Sequence, residues 1–510
     1  MKKNIFAVIT ALSLSAFFSC GGFANDLTIS AGSVSKIDPG AGTATVRFNV
    51  SWENSWRDAI NHDAVWLFLK FSVDGGDTWG HATLASSGVD PTGFSAGTGM
   101  NLEIDVPADR KGSFLRRSWT GTGKVETGNV ELRWAYATDG LSADDMESAD
   151  IKIFGIEMVY VPEGPFFAGD YEVSEASFSE GKDVSETDPW YVQSASAIFV
   201  KNVDFDGYYY RSAGNAGEDA TGAEFVIPAS FPKGFKAFYA MKYEITEEQW
   251  VDFFNMLTSS QRSGRDITGA DGKNSAGVVN RNTVFMADGK AFTLRPERSC
   301  GYLSWMDITA YSDWAALRPM SELEFEKAAR GKDISPLGGE YAWRNTAITA
   351  ATAISGKEDG TETVTTPGAN ACFGDKTFSG GDGGKGPLRA GIFAKSGTTR
   401  TAAGSSYYGI MELSGNLWER VVSVGNSQGR NYQGSHGDGI LTALGSATIS
   451  DWPGYSSGGG VSAALGSGLK GGSYAETAQA RLAVSDRKKA SDGASSRRPD
   501  SGGRGVRTAE

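Results

Sequence analysis

Leu317-Arg318-Pro319-Met320-Ser321-Glu322-Leu323-Glu324-Phe325-Glu326-Lys327-Ala328-Ala329-Arg330-Gly331 is the stretch on which the architecture turns. Ser321 with Glu324 three positions later forms a capping box, in which the two side chains satisfy each other's free backbone N–H groups. Gly331 then supplies the stop after Arg330. A second box, Thr246-Glu247-Glu248-Gln249, opens a run with Trp250, Phe253, Phe254 and Leu257 at helical spacing. Between the two, Trp305 to Leu317 reads as a helix with Ile308, Tyr311 and Trp314 on one face. About 180 loop-rich residues follow the last helix, and loops on that scale are usually functional. Residues 171–232 and 376–404 are polar, Gly-rich and weakly periodic, and read as insertions.

Upstream the period changes. Val46, Phe48, Val50 and Trp52 alternate with Arg47, Asn49 and Ser51, which predicts a strand with one apolar face. Val65-Trp66-Leu67-Phe68-Leu69 is denser, as a strand buried on both faces requires. Leu102, Ile104 and Val106 alternate, as do Val130, Leu132, Trp134 and Tyr136, and Asp74-Gly75-Gly76-Asp77 punctuates as a turn. Short strands without a convincing helix from Thr28 to about Lys152 predict a β-sandwich, with its Trp residues as core. The fold class expected is therefore α+β. Its boundaries fall at 1–24 for a leader, 25–152 for the sandwich and 153–510 for the second domain.

Composition bounds the function. With 510 residues, 40% hydrophobic and 21% charged, the chain can bury a large core, which excludes a disordered or collagen-like protein. A net charge of −13 argues against nucleic acid as a partner. Three cysteines cannot build a disulfide scaffold, and His62, His81 and His436 are too scattered for an HxxxH-type metal pair.

Lys2 and Lys3 precede an apolar run from Ile5 to Phe18, too short to span as a mature helix, which reads as a bacterial export signal. Two processing routes stay open. Gly22-Phe23-Ala24 offers small residues for cleavage before Asn25, which would leave a periplasmic or secreted protein. Phe17-Phe18-Ser19-Cys20-Gly21 instead resembles a relaxed lipobox, which would place a lipid on Cys20 and attach the protein to a membrane as a cell-surface or outer-membrane lipoprotein.

A family resemblance rests on blocks that occur in order. Gly155-Ile156-Glu157-Met158-Val159-Tyr160-Val161-Pro162-Glu163-Gly164, the Tyr243-Glu244-Ile245-Thr246 helix start with Trp250, and Leu317–Gly331 come first. Tyr408-Gly409-Ile410-Met411-Glu412-Leu413-Ser414-Gly415-Asn416-Leu417-Trp418-Glu419, Lys470-Gly471-Gly472-Ser473-Tyr474 and Gly503-Arg504-Gly505-Val506-Arg507 follow. Together they resemble the formylglycine-generating, sulfatase-modifying-factor superfamily over about 355 residues. The resemblance implies a C-type-lectin-like fold. It does not imply the chemistry, because Ala475-Glu476-Thr477-Ala478-Gln479-Ala480 stands where the oxidases carry a cysteine pair, leaving no thiolate for copper or redox work. Cys300 and Cys372 read as buried small hydrophobes. No cofactor is required. The resemblance does imply a structural calcium site on the Glu412 side chain, the Gly415 and Leu417 carbonyls and the Glu419 side chain; Glu412 stands where the family has Asp or Asn. The competing reading pairs Glu419 with a buried arginine and binds no metal.

The tail is similar to one branch of this superfamily, the variable proteins of diversity-generating retroelements, among them treponemal variable lipoproteins. Asn416-Leu417-Trp418-Glu419-Arg420-Val421-Val422, His436-Gly437-Asp438-Gly439, Asp451-Trp452-Pro453-Gly454, Val484-Ser485-Asp486-Arg487 and Gly502-Gly503-Arg504-Gly505-Val506-Arg507 carry that likeness. It implies a variable region at about 416–510. The surface it implies comprises Tyr474, Ala475, Glu476, Gln479, Ala480, Lys488, Lys489, Ser491, Asp492, Gly493, Ala494, Ser496, Arg498, Pro499, Asp500 and Ser501. Adenine-directed mutagenesis of AAC codons yields only NNC codons, and every residue from Ser491 to Gly503 is NNC-compatible, whereas Glu476, Gln479, Lys488 and Lys489 are not. Residues 481–507 carry eight basic and three acidic side chains, which would favour an acidic partner unless arginines such as Arg487, Arg504 and Arg507 brace the fold. The expected function is a non-catalytic, exported ligand-binding protein whose partner is a protein or surface ligand. The alternatives are a formylglycine-generating-type oxidase and an invariant adhesin or carbohydrate-binding module.

Overall fold

A computed structural model describes residues 26–510 apart from 31, 173, 202–206 and 396. The segment expected to be an export signal, with Cys20, lies outside the described residues. Among those described, no helix is long and apolar enough to cross a membrane.

The chain mixes strands and helices. The strands that matter here are β1 (Thr43–Arg57), β2 (Asp63–Ser72), β3 (Leu102–Val106), β4 (Ser113–Arg117), β5 (Gly121–Trp134), β6 (Asp150–Val161), β7 (Phe238–Met241), β8 (Trp418–Val422), β9 (Ser467–Lys470), β10 (Ser501–Gly502) and β11 (Gly505–Thr508). The helices that matter here are α1 (Glu247–Asn255), α2 (Trp305–Trp314) and α3 (Glu322–Arg330).

β1 and β5 pair antiparallel at the centre of a five-stranded sheet, which presents Val46, Phe48, Val50 and Trp52 inward while Arg47 and Asn49 stay exposed. That face packs against a nine-stranded sheet ordered Arg318–Pro319, β11, β7, β6, β2, β4, β3, Gly88–Val89, with the ninth strand, Gly80–His81, paired to β2 off this path. β2 is the hinge of the design. Its Val65, Leu67 and Leu69 enter the core shared with the five-stranded sheet, while Ala64, Trp66 and Phe68 enter a second core with α1 and α2. Alternating side chains thus serve two cores, which is why the run reads as continuously apolar.

The boundary expected after residue 152 falls inside β6, which pairs with β2 from Asp150 to Val159 and with β7 from Met158 to Val161. One sheet therefore runs through both parts. Asp109, in the first part, accepts a hydrogen bond from Arg507 and lies 3.7 Å from the His436 ring.

These three helices carry the capping boxes that reciprocal side-chain bonding requires, from Thr246 with Gln249, Ser304 with Asp307 and Ser321 with Glu324. The segment expected as a weakly periodic insertion at 171–232 holds strands of two or three residues around Trp190, too short for a period to show.

Candidate binding surface

β8 is the middle strand of a three-stranded sheet, antiparallel to β9 and parallel to β10. All five of its residues are buried, so the strand is a scaffold from which side chains reach in two directions. Glu419 and Val421 face the interior. Both Glu419 carboxylate oxygens accept from Arg504, at 2.6 and 2.7 Å, and Arg504 also donates to the carbonyls of Met241, Lys242 and Met411.

Trp418 and Arg420 face the candidate surface. Trp418 Nε1 donates to Glu476 Oε1 at 3.0 Å. Lys489 Nζ donates to the same oxygen at 3.1 Å and sits 4.5 Å from the indole centroid, a cation–π contact. Arg420 donates to the Ala494 and Ser496 carbonyls at 3.1 and 3.2 Å. Burial lowers the Arg420 pKa to about 10, with Arg498 adding to the shift.

The remaining supports share one chemistry. The carbonyls of Tyr474, Glu476, Lys489, Arg498, Asp500 and Ser501 accept, in that order, from the backbone N–H of Asp375, Gly374, Leu469, Tyr302, Trp418 and Leu303, at 2.7–3.0 Å. The Lys488 carbonyl accepts from Asn215 Nδ2 at 3.2 Å. Every one of these donors lies outside the sixteen candidate positions. The loops are therefore held in part through their own carbonyls, alongside side-chain bonds such as those of Asp492 with Arg498 and with the Ala494 N–H.

The structure divides the sixteen. Gln479, Ala480 and Ser496 are exposed. Ala475, Glu476, Lys488, Lys489, Asp492, Gly493, Ala494, Arg498, Pro499 and Asp500 are partly exposed. Tyr474, Ser491 and Ser501 are buried and face no solvent, which corrects their place on the surface. Tyr474 packs with Cys372, Phe378 and Leu417, Ser491 bonds the Ser423 hydroxyl at 2.6 Å, and Ser501 donates to the Leu303 carbonyl at 3.0 Å. A Ser-rich composition cannot separate a displayed hydroxyl from an interior one. Trp418 belongs to a motif rather than to the expected surface; its neighbours Glu476 and Lys489 come from distant loops, so sequence spacing gives no signal for the contact.

The local positive charge does not survive folding. Arg481 and Lys488 pair with Glu175, Arg487 with Glu322, Lys489 with Glu476 and Arg497 with Asp307. Arg498 pairs with Asp492, Arg504 with Glu419 and Arg507 with Asp109. All eight basic residues of 481–507 thus have carboxylate partners, most of them from outside that segment. An acidic partner gains no support from charge.

The four calcium positions do not fit the ion as they stand. Both Glu419 oxygens are occupied by a guanidinium, whose charge repels a divalent cation from the same carboxylate. Glu412 accepts from the Gly391 N–H through one oxygen at 2.7 Å, while its other oxygen is buried without a partner; burial raises its pKa to about 7. Beside it Glu244 accepts from Asn416 Nδ2 and the Leu417 N–H, at 2.6 and 3.0 Å, and pins that turn; burial and the neighbouring carboxylates of Glu419 and Glu412 push its pKa well up. Among the described residues no group of three or more His, Cys, Asp or Glu side chains could hold a metal ion. Cys300 and Cys372 are free and buried, and burial pushes both thiols up, Cys372 to about 12. Neither is poised as a thiolate.

Comparison with known proteins adds one finding. Residues 208–509 match the family described as the sulfatase-modifying factor enzyme 1-like domain. No curated protein matches the chain.

Proposed function

The chain belongs to the sulfatase-modifying factor enzyme 1-like family, and we propose that it is a non-catalytic, exported ligand-binding member that displays a retroelement-diversified surface on a C-type-lectin-like scaffold. The observation that carries this reading is the support of the candidate loops through their own carbonyls, by donors that are not themselves candidates. A surface that changes its side chains without refolding needs that arrangement, because a backbone bond does not depend on residue identity. The 475–480 segment, which carries no cysteine, supports binding over oxidation. The ligand is a protein or another surface group, and polar contacts dominate until Trp418 is uncovered.

Deep sequencing of the 3′ end of this gene and its flanking DNA in many cells tests the proposal. Substitutions confined to codons about 475–501, beside a near-identical template differing at adenines and a reverse transcriptase, are expected. An invariant tail with no template nearby overturns diversification and leaves a fixed binding module. Turnover of a Cys-containing peptide by the purified protein overturns the non-catalytic assignment.

A further inference from the structure

The nine-stranded sheet curls so that its β3 side faces its β7–β11 side across a cleft of about 870 Å³. That volume lies in the range of small-molecule sites, ~300–1,000 Å³. The cleft shares no residue with the sixteen positions around Trp418. Its floor comes from adjacent strands of one sheet face: Asp105 on β3, Phe114 and Arg116 on β4, Tyr160 on β6 and Tyr239 on β7, with His62 just before β2.

The floor is aromatic and rigid. Phe114 stacks on Tyr239 with ring centroids 3.9 Å apart, and His62 stacks on Tyr160 at 4.7 Å. His62 Nε2 lies 3.0 Å from the Tyr239 hydroxyl, which also accepts from Arg116 at 2.6 Å. Burial and the nearby Arg116 and Arg57 depress the His62 pKa to about 3, so the ring brings no positive charge to the cleft.

The charges of the lining do not balance. Arg57 and Arg116 are neutralised by Glu103 and Asp105, at 2.7–2.9 Å. Asp58, Glu163 and Glu510 remain around the mouth with no ion pair among the described residues, against a single unpaired cation, Lys236. Ile60 and Val89 add exposed aliphatic lips, 49% and 56% accessible. The backbone groups of the floor strands are already paired within the sheet, so an extended peptide finds no free ladder there; only side chains can recognise what enters.

We propose that this cleft is a binding site for a small aliphatic amine, whose ammonium group sits against the half-buried Tyr160 ring and the Glu163 carboxylate and whose hydrocarbon chain lies on Ile60 and Val89. An ammonium over an aromatic face beside a carboxylate combines cation–π attraction with direct charge pairing. The site is independent of the variable surface and stands or falls separately from it.

Calorimetric titration of the full chain with spermidine tests this. One saturable site is expected, weakened about tenfold by Glu163→Gln and by Tyr160→Leu, which keeps apolar bulk but removes the ring. Glu147→Gln, which removes one charge from an exposed turn away from the cleft, is expected to leave affinity unchanged. Circular dichroism melts of each variant separate lost binding from lost folding. Absence of saturable binding, or equal weakening by Glu147→Gln, overturns the site, since the second marks diffuse attraction to an acidic chain. Binding of an oligolysine peptide without binding of spermidine overturns the small-amine assignment.

Discussion

Arg504 grips Glu419 through Nε and Nη2, one nitrogen to each carboxylate oxygen, with neither side chain exposed to solvent. The same guanidinium ties together the carbonyls of Met241, Lys242 and Met411. Removing one partner strands the other charge in the interior, which typically costs about 3–5 kcal/mol. Arg504→Ala and Glu419→Ala are each expected to lose stability on that scale in urea denaturation. EDTA is expected to leave the melting temperature of the wild type unchanged. A drop on chelation, restored by calcium, would show that an ion contributes to folding despite the guanidinium.

Glu412 sets a pH-dependent prediction. Its pKa is raised from 4.5 to about 7, chiefly by burial. A carboxyl group raised in the folded state binds its proton more tightly there than in the unfolded chain. Its contribution is therefore fully present below about pH 4.5 and is lost as pH rises through about 7. His62 and His436, both held near 3 by burial, act with the opposite sign over pH 3–6.5, so the wild-type profile is a sum of opposing trends. The difference between Glu412→Gln and wild type isolates one of them. The variant is expected to gain stability relative to wild type as pH rises from 4.5 to 7, and a pH-independent difference in thermal melts would refute the assignment.

What could be read in advance follows the range of each interaction. Capping boxes are local, and the Thr246 and Ser321 boxes mark the two helix starts where the structure has them. The alternation around Phe48 and the dense run at Trp66 are local too, and both meet the burial they imply. Which partner fills the second face of β2 is not local. Trp66 Nε1 donates to the Ala315 carbonyl across 249 positions, and nothing near either residue encodes that separation. The site follows the same rule. Whether a serine in the candidate loops is displayed or buried depends on Ser423 and Leu303, far along the chain.

Trp418 lies under Glu476 and Lys489, with 1% of its own surface accessible. Their ion pair is partly exposed and contributes less than about 1 kcal/mol. Glu476→Ser combined with Lys489→Ser is therefore expected to change stability little while opening the indole to solvent. The measurement is acrylamide quenching of tryptophan fluorescence, with Trp418→Phe as the reference because 13 Trp share the signal. Unchanged quenching would show that other groups cover the ring.

The division of the sixteen positions gives the last prediction. Randomising Gln479, Ala480 and Ser496 changes exposed side chains, and is expected to shift stability by no more than about 0.5 kcal/mol per site. Larger side chains at Ser491 or Ser501 must enter closed space and displace buried hydroxyl bonds, at a cost of about 1–3 kcal/mol each. Truncating Tyr474 leaves a cavity against Phe378 and Leu417, for which about 3–5 kcal/mol is typical of an aromatic ring. A display library sorted for folding and then sequenced checks all three at once. Broad acceptance at 479, 480 and 496 with narrow acceptance at 474, 491 and 501 is expected. Equal acceptance at all six would mean that burial does not separate scaffold from displayed surface, and that backbone support gives a diversified site no structural basis.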